Sequence, residues 1–227
     1  MVVNAIKFLT PILFFASFHS FGNDVGEWFY ENDHLNITPS FRIGKCKQIK
    51  GEADLNRCFG HENVFSTYEF TRDGEELPAT ILYPNVEGKT LRIFWFDDQR
   101  TEPRSVKLTA DGSQWRVGTE LYVGLSSQEL AKVNKANFAV RDFDFDEQGE
   151  VLWNSGFVMS VFAPERLRVY LDIQNDLSSE QMMAVSGQGV FCFSQAEKLG
   201  VKMAIKEINL YFSDQQHFEV DCKDVEK

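Results

Sequence analysis

The densest concentration of chemically capable side chains in the 227-residue chain is Asp142, Asp144 and Asp146, alternating with Phe143 and Phe145. The D-x-D-x-D spacing resembles the start of a calcium loop. The sixth position, where that loop needs glycine, is Glu147, and the twelfth, where it needs an acid, is Trp153. In a strand, alternate side chains share one face and lie about 7 Å apart, given a rise of about 3.3 Å per residue. The three carboxylates then form a polar strand face opposite a buried Phe pair, or a contact for a divalent cation or a cationic partner. His34, His61 and His217 stand in polar, loop-like contexts with no Gly-x-Ser-x-Gly elbow to complement them. His61 follows Gly60, where an imidazolium suits a helix C-terminus. With no nucleophile-and-base pair in view, the expectation is a protein that is not an enzyme and carries no cofactor or metal. Trp95 and Trp153 fall in strand-like segments and, with Asp142, Asp144 and Asp146, make the candidate binding surface, an acid-rimmed aromatic patch suited to a basic protein or a carbohydrate.

The cysteines add a framework. Cys46, Cys58, Cys192 and Cys222 allow three pairings, and Cys46–Cys58 with Cys192–Cys222 closes the shortest loops. Zinc is disfavoured, because separations of 12 and 30 with no interleaved histidine at ligand spacing do not make the usual knuckles. Disulfides fit the address read from residues 1–22. A single Lys7, an apolar stretch from Phe8 to Phe18 and then small residues are the pattern of a signal peptide, with Ser20 and Gly22 at the −3 and −1 positions of cleavage. The expected product is a periplasmic or secreted chain of about 205 residues. No later apolar run approaches the roughly 20 residues that a bilayer requires, so the mature chain is not expected to insert into a membrane.

With 34 acidic and 23 basic residues the net charge is −11, becoming −12 once Lys7 is removed. Phosphate backbones are repelled by such a surface, which speaks against nucleic acid and in favour of a basic protein partner.

The elements that must position these groups repeat. At an offset of 75, Asp54-Leu55-Asn56-Arg57 overlies Glu129-Leu130-Ala131-Lys132, Tyr68-Glu69-Phe70 overlies Phe143-Asp144-Phe145, and Gly74-Glu75 overlies Gly149-Glu150. One residue of slippage brings Leu91-Arg92-Ile93-Phe94-Trp95 onto Leu167-Arg168-Val169-Tyr170-Leu171. Each copy predicts a short helix (51–59, then 126–134, the second opened by a Ser126/Glu129 capping box) followed by four strands. The strands fall near 64–71, 77–83, 91–96 and 105–109, and then 138–146, 151–161, 167–173 and 205–212, with Asp73-Gly74 and Gln148-Gly149 at the hairpin turns. An insertion at 175–203 holds a helix at 178–185 with Ser178 and Gln181 as a second capping box. The fold class is therefore α+β, two tandem modules of one helix on a four-stranded antiparallel sheet. The first, 23–112, includes an N-terminal extension; the second, 113–227, includes the insertion and an acidic tail. The copies share a pseudo-two-fold axis or a continuous sheet, and Trp115 falls at their junction.

A short helix with (Asp/Glu)-Leu inside it, a glycine soon after, and aromatic hairpin strands resembles the β-lactamase-inhibitor-protein fold and the related small lipoprotein module of outer-membrane assembly. Gly51, Asp54, Leu55, Phe59 and Gly60 carry the likeness in the first copy. In the second it is carried by Gly124, Leu125, Ser126, Glu129, Leu130 and Asn134. The whole chain also looks like a set of uncharacterised exported bacterial proteins with two fused halves. The resemblance implies a non-catalytic module that binds another protein, one version being an inhibitor of a basic envelope enzyme such as lysozyme. The alternative expectation is a small-ligand binder or hydrolase using the 175–203 insertion and the Asp142/Asp144/Asp146 strand.

Overall fold

A computed structural model of the chain describes residues 35–38, 40, 42–47, 49–118, 120–144, 149–162, 165–187, 189–215, 220 and 222. Residues 1–22, read above as a signal peptide, and His34, His217 and Asp146 lie outside these residues. The elements run β1 (Asn36–Ile37), α1 (Glu52–Phe59), a 3-10 turn (His61–Asn63), β2 (Val64–Phe70), β3 (Glu76–Leu82), β4 (Leu91–Trp95), β5 (Pro103–Leu108), β6 (Arg116–Val117) and α2 (Ser127–Asn134). They continue with β7 (Ala139–Arg141), β8 (Val151–Leu152), α3 (Phe157–Val161), β9 (Leu167–Ile173), α4 (Ser179–Val185), β10 (Val190–Cys192), α5 (Phe193–Lys198) and β11 (Met203–Tyr211). The fold is α+β.

The first copy is the expected unit, a helix followed by the antiparallel meander β2-β3-β4-β5. The two copies are joined by a continuous sheet, because β5 pairs antiparallel with β11, Leu108 opposite Ile208 and Ser105 opposite Tyr211. The six-stranded order β2-β3-β4-β5-β11-β9 is extended by a bridge from Tyr170 to Glu150, beside the small sheet β8-β7-β10. Numbered within its copy, the order reads 1-2-3-4 and then 4-3-2-1, as a two-fold axis between β5 and β11 requires. Equivalent positions behave alike. Leu55 and Leu130 are both fully buried. Gly60 (φ 87°) and Lys135 (φ 57°) both close their helices with positive φ, and Gly74 (φ 78°) and Gly149 (φ 75°) both turn their hairpins there.

One apolar cluster serves both copies. Inward residues of the shared sheet (Ile93, Trp95, Val106, Ile208, Val169) meet Leu55 and Phe59 of α1, Leu130 of α2, Val158 of α3, Val185 of α4 and Phe193 of α5. All five helices thus cover the same sheet face. Trp115 is buried at the junction and donates its indole N–H to the Lys89 carbonyl at 2.8 Å. The disulfides Cys46–Cys58 and Cys192–Cys222 both form, the first fastening α1 to the N-terminal segment and the second fastening the tail to the end of β10. Both capping boxes are present, and the Ser126 hydroxyl holds the Glu129 carboxyl below its usual pKa.

The second copy departs from the expected strands. Within the described residues, the strand expected at 138–146 is regular over Ala139–Arg141 and that at 151–161 over Val151–Leu152, after which residues 157–161 are helical. Val158 and Val161 have strand propensity, but the buried Asn134 overrides it. Its Oδ1 accepts from Val158 N at 3.1 Å while its amide donates to Ser155 O at 3.1 Å, so the chain turns into α3. Within the insertion, β10 and α5 are additional elements. β10 pairs with β7, which makes the insertion an edge of the small sheet.

Candidate functional site

The aromatic and acidic surface expected from the sequence is not assembled. Trp95 is 0% exposed and Trp153 is 1% exposed, both in the core. Both belong to the main apolar cluster, Trp95 turned toward the helices by its place in β4, and burying a ring of this size is worth more than displaying it. The Trp95 indole donates to the Thr80 hydroxyl at 2.8 Å. Asp142 is only 3% exposed, past the end of β7, and its carboxylate accepts the Gly189 amide at 2.8 Å while its own amide donates back to the Gly189 carbonyl. It tethers the insertion. Asp144 is exposed but stands beyond the strand, so the two carboxylates do not share a strand face. Among the described residues no cluster of His, Cys, Asp or Glu is arranged to hold a metal ion. His61 opens the exposed 3-10 turn after α1.

What the structure presents instead is the free edge of β2. Position in the sheet decides this: β2 pairs with β3 through all seven residues, Val64 opposite Leu82 to Phe70 opposite Glu76, and among the described residues nothing pairs on its other side. Tyr83 N donates to Asn63 O and Thr71 N to Glu75 O, which fixes Asn63, Phe65, Thr67, Glu69 and Thr71 as the residues bonded to β3. The amides and carbonyls of Val64, Ser66, Tyr68 and Phe70 therefore point outward. Phe65, Tyr68 and Phe70 are 54%, 51% and 65% exposed. Alternation puts Phe65 on the helix-free face, whereas Tyr68 and Phe70 share the helix side but run beyond the cover of α1.

A polar hub holds the edge in place. Glu52, at the start of α1, accepts from the Ser66 hydroxyl at 2.7 Å and from the Thr80 hydroxyl, and pairs with Arg100 at 3.3 Å. Arg100 donates to Thr67 O at 2.8 Å and lies 5.5 Å from the centre of the Tyr68 ring, whose hydroxyl donates to Asp98 at 3.2 Å. The surroundings are acidic: residues 61–77 carry Glu62, Glu69, Asp73, Glu75 and Glu76 against Arg72 as the one Lys or Arg.

The helix-free face of the sheet is polar and ion-paired. Arg92 is held by Asp111 at 2.8 Å and by Glu69 at 3.0 Å, and hydrogen bonding to Asp111 raises its pKa. The tip of the β2-β3 hairpin bends over this face. Arg104 of β5 reaches Glu75 at 2.8 Å, and Arg72 stacks 4.2 Å from the Tyr170 ring centre, although β9 lies at the opposite end of the six-stranded order. Leu77, Ala79 and Phe94 form a small apolar floor beneath the hairpin.

No helix among the described residues is long and apolar enough to cross a membrane. Compared with known proteins, the chain matches no family model, no curated sequence and no solved structure.

Proposed function

We propose that the chain is an exported, non-catalytic protein-binding module that captures an extended, basic segment of its partner as a seventh strand beside β2. The observation that carries this reading is the free edge itself: outward amides and carbonyls at Val64, Ser66, Tyr68 and Phe70 with three exposed aromatics between them. A sheet edge offers a partner strand its hydrogen bonds, while alternate side chains on both faces supply selectivity. Phe65 on one face and Tyr68 with Phe70 on the other provide those contacts. The five carboxylates around the hairpin and the overall charge of −11 favour a basic segment and disfavour a second copy of the chain. The resemblance of the two helix-and-hairpin copies to inhibitor and envelope-assembly modules supports the same reading. Two disulfides fit an oxidising compartment such as the periplasm.

The test pairs wild type with Ser66→Pro, which deletes one outward amide. Both proteins are immobilised against an envelope extract at low and high salt, and both are titrated into a lysozyme activity assay. A partner retained at low salt by wild type, released by salt and lost with Ser66→Pro supports the proposal. Capture that is unchanged by the proline, or absence of any salt-sensitive partner, refutes it; an unaffected lysozyme refutes only the inhibitor version.

A further inference from the structure

The cleft beneath the β2-β3 hairpin tip, of about 90 Å³, lies apart from the free edge. Its wall residues come from segments far apart in sequence: Arg72 from the hairpin tip, Arg104 and Lys107 from β5, Arg168 and Tyr170 from β9, and Tyr211 from β11. Four cations thus face a space in which Asp73 is the one lining carboxylate, within a chain whose net charge is −11. The carboxylates that balance these cations stand outside the lining. Glu75 takes a single Arg104 nitrogen at 2.8 Å, Glu207 approaches Lys107 at 3.6 Å, and Glu150 approaches Arg168 at 3.6 Å while bonding Arg141 at 2.8 Å.

Two features make this a receptor for negative charge. Donor capacity is in excess, since an arginine carries five N–H donors and an ammonium three, while Glu75 engages one Arg104 nitrogen and Glu207 stands 3.6 Å from the Lys107 ammonium. Burial also pushes the Tyr170 and Tyr211 phenols above their ordinary pKa, so both hydroxyls keep their protons at any physiological pH and can donate. The volume is enough for a small ion.

We infer that this cleft binds a small oxyanion of phosphate or sulfate size, gripped by Arg104 and Lys107 from β5 and closed over by Arg72. Planar guanidinium groups match two oxyanion oxygens at once, and a lysine adds a point charge. The ion would cross-link the hairpin tip to β5 and β9, so occupancy stiffens the hairpin that carries the free edge.

The probes are inorganic phosphate and sulfate, titrated into the full chain against chloride at equal ionic strength. Wild type, Arg104→Gln and Lys107→Gln are followed by calorimetry and by thermal melts. Sulfate stabilises proteins generally by exclusion from their surfaces, so the informative quantity is the difference between wild type and variant. A saturable heat in wild type, weakened at least tenfold by either substitution, is the expected result. Equal slopes in all three proteins, or no heat, overturn the inference. Should a variant fail to fold, side-chain NMR of wild type decides instead. Phosphate-dependent shifts confined to the Arg104, Lys107 and Arg168 resonances support the site, whereas dispersed or absent shifts refute it.

Discussion

The register of β2 makes a prediction that separates neighbouring residues. Thr67 points its amide at β3, opposite Ala79, whereas the amide of Ser66 points outward. Proline at 67 deletes a ladder hydrogen bond and drives its ring toward β3. The loss of one bond and the orphaned acceptor, at about 1–3 kcal/mol, together with the steric conflict, bring the expected destabilisation to about 3 kcal/mol. At 66 the missing N–H faces solvent, and an edge strand tolerates proline there. The residual cost is the Ser66 hydroxyl bond to Glu52, which at an exposed site is worth about 1 kcal/mol or less. Ser66→Ala removes that bond alone, so Ser66→Pro and Ser66→Ala should agree to within about 0.5 kcal/mol, the range of ordinary surface substitutions. At about 2–4 °C per kcal/mol for a domain of this size, Thr67→Pro lowers Tm by about 6–12 °C and the two Ser66 variants by at most about 4 °C. Urea denaturation and thermal circular dichroism on the oxidised protein measure both. If Ser66→Pro is as damaging as Thr67→Pro, the outward amides are not free and the argument for strand capture falls with them.

Other perturbations have equally defined outcomes. Replacing Cys46 and Cys58 by alanine should cost about 3 kcal/mol from a 12-residue separation, and replacing Cys192 and Cys222 slightly more, near 4 kcal/mol, from a separation of 30, as denaturant midpoints will report. Asn134→Ala strands the Val158 amide and the Ser155 carbonyl inside the protein, so we expect a loss of about 1–3 kcal/mol and weaker hydrogen-exchange protection of α3; unchanged exchange would contradict its role in turning the chain. Burial raises the phenol pKa values of Tyr83, Tyr170 and Tyr211. Below pH about 10 both folded and unfolded states keep these protons, but above it the unfolded chain releases protons that the folded chain retains, so stability falls as pH rises past about 10. Absorbance at alkaline pH should show these phenols ionising late, together with unfolding, and simple titration of every tyrosine near pH 10 would contradict that. Trp95→Ala removes a fully buried indole and should cost about 3–5 kcal/mol by denaturant titration, whereas a surface residue would cost less than about 0.5 kcal/mol.

Much of the scaffold was legible because its determinants are local or periodic. Ser126 with Glu129 and Ser178 with Gln181 announce helix starts, because the bonds they make lie within one turn. The repeat at 75 residues is legible because equivalent positions face equivalent demands: Leu55 and Leu130 go inside, and Gly74 and Gly149 take positive φ. The disulfide pairing followed loop length. The strand expected at 151–161 gives way to a helix because Asn134, more than twenty residues earlier, accepts the Val158 amide, and no local pattern carries that information.

By itself, the sequence determined composition, charge, the α+β class, the duplicated order of elements and the cysteine framework, since each depends on residues close in the chain or on a period within it. The tertiary structure alone decided which strand is an edge and which face is covered. Trp95 and Trp153 looked like surface and are core, because all the helices collect on one side of a shared sheet. Phe65, Tyr68 and Phe70 looked like an ordinary amphipathic strand and are exposed, because β2 comes last in the pairing order and outruns α1. The cations of the cleft meet because the hairpin tip bends across strands that a two-fold arrangement had brought alongside. These are properties of pairing between distant segments, and no spacing along the chain encodes them.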